Sequence, residues 1–184
     1  MIKQKMCSEP IFFKRNRVYR VYLGGRQYAK LMGDKPEDTL FPEEWICSKV
    51  KAINKKHFGK RDGVSIVENT DIFFDDLLHE HEEELLGGKK YDCLVKFLDS
   101  AIRLPVQVHP TKAFSRKYFN SEYGKTEAWL VIDTRPDAKV YLGFNRKVTK
   151  EELSELEERS LSEREIMETI LSAVPAKVGD IYLI

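Results

Sequence analysis

Between Cys93 and Phe144 the chain carries four short apolar runs: CLVKFL (93–98), LPVQVH (104–109), TEAWLVID (126–133) and AKVYLGF (138–144). Runs of this length, rich in Val, Leu, Tyr and Trp and bounded by polar or turn-forming residues, read as β-strands. A fifth follows a turn in the closing KVGDIYLI. The helices read as insertions among these strands. TKAFSRKYF (111–119) lies between the second and third runs, and EELSELEERSLSEREIMETILSAV follows Thr149. That second segment reads as helix-rich, with a capping box at Thr149 and Glu152 and a break near Ser160–Ser162.

Upstream the text is different. The first 65 or so residues hold short apolar pieces, RVYRVYLGG and EEWICSKV, between the turn signals GG, GDKP and RDG. In DIFFDDLLHEHEEELLGG, the residues Phe73, Phe74, Leu77, Leu78, Leu85 and Leu86 fall at helical spacing. Asp71 is expected to cap that helix and Gly87–Gly88 to end it. There is no internal repeat and no low-complexity tract. A length of 184 residues predicts one domain, residues 1–184, large enough to bury a core.

A formal net charge of +1 gives no general pull toward nucleic acid or an anionic membrane. No apolar run is long enough to span a bilayer, and the basic N-terminus lacks the apolar core of a secretion signal. Cys7, Cys47 and Cys93 are odd in number, far apart and in no CxxC pair, which points to a reducing cytoplasm. IYLI ends the sequence without a polar tail and reads as a strand cut inside a core.

Side chains alternate along a strand, so Gln107 and His109 share one face while Val106 and Val108 take the other. Glu127 shares a face with Trp129 and Val131. A Gln, a His and a Glu on neighbouring strands make an oxygen–nitrogen–oxygen pocket that suits a divalent metal. Spacing alone leaves the alternative open: His109 a satisfied polar residue before Pro110, and Glu127 a surface charge at a strand start.

LPVQVHP followed by GKTEAW closely resembles the type I mannose-6-phosphate isomerases, the zinc-dependent phosphomannose isomerases of the cupin superfamily. VYLGG (21–25), PEEW (42–45), VKFLDS (95–100), VYLGF (140–144) and VGDIYLI (178–184) resemble further elements of that family. Leu23 stands where tryptophan is usual, and Pro42 where glycine is. The resemblance implies a cupin-type jelly-roll β-barrel, complete or not, with helical insertions. It also implies an aldose–ketose isomerase that interconverts mannose 6-phosphate and fructose 6-phosphate through an enediol. Gln107, His109 and Glu127 are then three ligands of one zinc ion per chain, and Lys125 lines the sugar pocket in a catalytic and substrate-binding role. Pro105 departs from the family, many members having a serine there near the substrate. In the family a histidine beyond the strand matching VGDIYLI supplies the fourth ligand, and an arginine follows later. The sequence is expected to end before both, and no residue in it is named as the proton-transfer base.

Arg116 and Lys117 are within plausible reach of a sugar phosphate, or form the polar side of a short helix packing Phe114 and Phe119. His79 and His81, two apart on a helix, do not face one another and read as a solvated face. His57 reads as surface, and Trp45 and Trp129 as core. The partner expected is a sugar phosphate, with no nucleic acid and no membrane. Three alternatives remain at this point: a non-catalytic metal- or sugar-phosphate-binding cupin remnant, a chain that self-associates or needs a complementary chain, and an iron-dependent cupin oxygenase.

Overall fold

The computed structural model describes residues 6–184. The chain divides into two compact units, Met1–Leu104 and Pro105–Ile184.

In the first unit β1 (Arg17–Val18), β2 (Glu43–Ile46) and β3 (Val95–Leu98) form an antiparallel sheet in the order β1-β2-β3. The central strand buries two carboxylates, Glu43 and Glu44. A buried charge is tolerated only when paired and hydrogen-bonded. Glu43 accepts from the Tyr22 hydroxyl at 2.6 Å and from the Trp45 indole at 2.7 Å, with Arg20 at 3.0 Å and Lys96 at 3.4 Å. Glu44 accepts from the Asn16 amide at 2.8 Å and pairs with Arg17 at 3.1 Å.

Three stretches that carry the family resemblance, VYLGG, PEEW and VKFLDS, meet here. Gly24 bridges both Thr39 and Ser100. A Cβ at Gly24 would stand 1.8 Å from the Asp99 carbonyl oxygen, so only glycine fits. The Asp99 carboxylate accepts from the backbone amides of Gly25 at 3.0 Å and Gln27 at 2.8 Å. Tyr28 opens α1 (Tyr28–Met32) and donates its hydroxyl to the Pro42 carbonyl at 2.7 Å.

The helix expected from Asp71 to Gly87 is two helices, α2 (Phe74–Glu80) and α3 (Glu82–Leu86), broken at His81 with φ −134° and ψ 37°. The break falls among Glu80, Glu82, Glu83 and Glu84, where like charges one turn apart disfavour a continuous helix. Asp71 does not cap α2. The N-cap position is Phe73, without a side-chain bond, while Asp71 pairs with Lys14 at 3.3 Å. Gly87, at φ 57°, does end α3. Phe74, Leu77 and Leu78 pack with Val67 as the core, and Phe13 and Tyr91 set their rings edge-on to Phe74.

The second unit contains α4 (Lys112–Phe119), β4 (Ala128–Leu130), β5 (Lys139–Phe144), α5 (Lys150–Arg159), a 3₁₀ turn (Ile166–Ile170), β6 (Leu171–Pro175) and β7 (Ile181–Leu183). β4 pairs with β7 and β5 with β6, both antiparallel. The α4 helix is where TKAFSRKYF predicts it, with Thr111 Oγ1 accepting from the Phe114 amide at 3.2 Å. Thr149 caps α5 by accepting from the Glu152 amide at 3.2 Å. The core joins α5, the 3₁₀ turn and β6 through Leu156, Met167, Ile170 and Leu171, with Tyr141 and Leu153 against them.

Two further expectations are corrected. Leu171–Pro175 is not the tail of a helix but a strand, because β5 offers it a partner. LPVQVH forms no strand; residues 103–110 carry no regular structure. The described residues form one three-stranded and two two-stranded sheets. The mixture of strand and helix is as predicted.

Candidate metal centre

The site is built by a close approach between two loops of the second unit. The Lys125 amide donates to the Pro110 carbonyl at 3.2 Å, which lays GKTE beside VQVHP. Gly124 permits this: a Cβ there would be 2.8 Å from the Pro110 carbonyl oxygen and 3.2 Å from the Lys112 nitrogen. Glu127 leads into β4, and its carbonyl accepts from the Ile184 amide at 3.0 Å. The β4–β7 register, Ala128 opposite Leu183 and Trp129 opposite Tyr182, fixes the strand that follows.

This brings four side chains together. Lys125 Nζ lies 3.1 Å from Gln107 Oε1, 3.1 Å from His109 Nε2 and 3.2 Å from Glu127 Oε2. The ammonium meets two hydrogen-bond acceptors, Gln107 Oε1 and His109 Nε2, and forms an ion pair with Glu127 Oε2. His109 Nε2 and Glu127 Oε2 are themselves 3.2 Å apart. The other oxygen of Glu127, Oε1, accepts from the Trp129 indole at 2.8 Å. His109 Nε2 faces both the ammonium and Glu127 Oε2, while Nδ1 is buried with no hydrogen-bond partner among the described residues. Leaving such a group unmatched costs about 1–3 kcal/mol.

The donor set fits a divalent metal. Gln107, His109 and Glu127 converge on one cation, the lysine ammonium. Two ligands at zinc distances with a tetrahedral angle between them are about 3.4 Å apart. The observed 3.2 Å between His109 Nε2 and Glu127 Oε2 matches that separation. Among the described residues no group of three or more His, Cys, Asp and Glu is placed to hold a metal; this cluster has His109 and Glu127 of those types beside the neutral amide of Gln107. The cluster is partly open, with the Lys125 side chain 46% exposed and that of Glu127 17%.

Arg116 is not among the groups that meet here. Its guanidinium pairs with Glu122 at 2.7 Å on the exposed side of α4. His57 stands 3.7 Å from Asp62 and is exposed, as expected of a surface histidine, whereas His81, 3.4 Å from Glu84, is half-buried at the break between α2 and α3 and not on a solvated helix face. Trp129 is the residue that the sequence reading missed. Its position two residues after Glu127, on the same strand face, was the available signal.

Fold and cluster together define a mixed strand-and-helix protein with a cation-gathering amide–imidazole–carboxylate site in its second unit. No protein-family model matches the chain. Individual proteins do. The chain is 32% identical over 97% of its length to the mannose-6-phosphate isomerase ManA of Bacillus subtilis (strain 168), and spans 53% of that protein. It is 32% identical over 96% of its length to the mannose-6-phosphate isomerase of Streptococcus mutans serotype c (strain ATCC 700610 / UA159), and spans 52% of it. In structure it matches a candidate mannosephosphate isomerase from Archaeoglobus fulgidus with a TM-score of 0.69 at 27% identity, over 95% of this chain and 55% of that one. The mannose 6-phosphate isomerase of Bacillus subtilis gives a TM-score of 0.66 at 26% identity, over 95% and 52%. The chain is a homologue of the mannose-6-phosphate isomerases. It spans about half the length of the curated relatives it matches. No helix among the described residues is long and apolar enough to cross a membrane.

Proposed function

We propose that this chain supplies Gln107, His109 and Glu127 as three ligands of a zinc ion in an isomerase that interconverts mannose 6-phosphate and fructose 6-phosphate. The observation that carries the reading is the convergence of those three donor atoms on one positive charge. The names of the homologues supply the substrate class. The proposal includes the cupin-type barrel, which rests on the resemblance in sequence, and a cytoplasmic site of action, which the three free cysteines support.

Isomerisation of an aldose to a ketose moves a proton between adjacent carbons through an enediol, and negative charge develops on the substrate oxygens. Zinc, when bound, supplies Lewis acidity against that charge. Gln107 and His109 would supply their donors from a loop tied through the Pro110 carbonyl to the loop that carries Lys125. Glu127 contributes the anionic donor and is thereby committed, which disfavours it as the base. Lys125 brings a half-exposed ammonium that can turn from these donors to a substrate oxygen and stabilise the enediolate.

A second reading, in which this chain works only with a complementary chain, is favoured by one observation. The β4–β7 ribbon leaves Leu130 61%, Ile181 67% and Leu183 84% exposed.

The test is zinc content after dialysis, measured for the chain and for H109A and E127A, followed by turnover of mannose 6-phosphate. Zinc near one per chain that is lost in both variants supports the site. Retention of zinc in both variants refutes it. Zinc without turnover selects a binding protein, or a chain that needs its complement.

A further inference from the structure

Trp129 and Glu127 lie two residues apart, and the indole Nε1–H donates to Glu127 Oε1 at 2.8 Å. We infer that Trp129 is a positioning residue for the metal centre: by holding Oε1 it turns Oε2 toward His109 Nε2 and the cation position. The inference rests on the zinc-site reading above and adds a residue to it.

The physical case has three parts. A glutamate side chain has several rotatable bonds, and an unheld carboxylate loses rotamer freedom when it binds a metal. The indole removes part of that loss in advance by fixing one oxygen. Indole is a donor without an acceptor lone pair, so it can orient the carboxylate without itself competing for the metal. Trp129 is also fixed in place by its strand, since it pairs with Tyr182 in the β4–β7 register and is half-buried.

The first unit uses the same device independently. Glu43 and Trp45 are again two residues apart on one strand, and Trp45 Nε1 donates to Glu43 Oε2 at 2.7 Å. A lysine again completes the arrangement, Lys96 there at 3.4 Å and Lys125 here at 3.2 Å. Around Glu43 the network is closed by Tyr22 and Arg20 and the carboxylate is buried. Around Glu127 the corresponding space holds His109 and Gln107 and stays partly open. The same Glu-x-Trp clamp thus locks a structural carboxylate in one unit and presents a ligand in the other.

The experiment is a zinc titration by competition with a chromophoric chelator on the chain, H109A, W129F, E127A and W129F/E127A. W129F keeps the apolar ring and removes the donor. It is expected to weaken zinc binding about 10- to 100-fold, the usual effect of losing a group that orients a ligand. In the E127A background, read at higher zinc, W129F is expected to change affinity less than about twofold, because a residue acting only through Glu127 has nothing left to act on. Unchanged affinity in W129F, or an equal loss in both backgrounds, overturns the inference while leaving the zinc reading intact. Absence of zinc binding by the parent, or binding indifferent to H109A, overturns both. Should W129F fold poorly or E127A bind too weakly to read, benzothienylalanine at position 129 decides. It keeps the ring shape and lacks the N–H, so weaker zinc binding supports the role and unchanged binding refutes it.

Discussion

Lys125 Nζ and Glu127 Oε2 stand 3.2 Å apart, and the same ammonium is within 3.1 Å of the two remaining candidate ligands. A metal ion and this ammonium would therefore compete for the same oxygens and nitrogen, and two positive charges at that range repel. K125M retains the length of the side chain and removes the charge. Its zinc affinity is expected to rise roughly tenfold, after screening at a half-exposed position is allowed for. Turnover of mannose 6-phosphate is expected to fall. Chelator competition measures the first effect, and weaker binding in K125M would show that the ammonium does not contest the donors.

The loop contact behind the site gives a separate test. A Cβ at Gly124 would meet the Pro110 carbonyl at 2.8 Å, so G124A must push GKTE away from VQVHP. Zinc affinity is expected to drop at least about tenfold, because a ligand shell tolerates little misplacement. The first unit should be untouched, so its tryptophan environment serves as the internal control. A G124A chain that binds zinc as the parent does would show that the two loops need no such approach.

How much of this was legible beforehand differs from residue to residue. The shared face expected of Gln107 and His109 assumed a strand, and residues 103–110 are not one, yet both side chains do reach Lys125. That LPVQVH would be a paired strand is not local. Pairing needs a neighbour, and among the described residues none is bonded to it as a strand. ILSAV had the composition of either a helix end or a short strand, and the decision belonged to β5. Thr111 and Thr149 were readable because a cap depends on two or three neighbouring residues. Trp129 was visible on the right face, but its role depends on which way an indole rotamer points. Arg116 had the right charge, and Glu122 took it.

Glu43 gives a pH prediction. Burial pushes its carboxyl up, but Lys96, Arg20, Tyr22 and Trp45 together bring it below the ordinary glutamate value of 4.5. A carboxyl held low in the folded state stabilises that state at pH above the ordinary value. The contribution is then lost as pH falls through the lowered value. Stability of the first unit should thus be flat toward neutral pH and decline below pH 4.5. E43Q leaves Arg20 and Lys96 without their anion, which is expected to cost about 3 kcal/mol at neutral pH and to flatten the acid limb. Urea unfolding from pH 7 down to pH 3 measures both effects, and an acid limb unchanged in E43Q would remove Glu43 as its cause.

The β4–β7 ribbon makes the last prediction. Leu130, Ile181 and Leu183 stand on one of its faces, 61%, 67% and 84% exposed. In the register Leu130 faces Ile181 and Ala128 faces Leu183, so these side chains form one contiguous apolar strip. Each strand of the ribbon is paired on one side only, which leaves open edges beside that strip. An uncovered strip of this kind drives association, since burying a leucine-sized side chain gains about 1.5–3 kcal/mol. The chain is expected to self-associate at micromolar concentration, and L130K/L183K is expected to shift it toward monomer. Sedimentation velocity across a dilution series reads this directly. A parent chain that stays monomeric throughout would mean the strip drives no association.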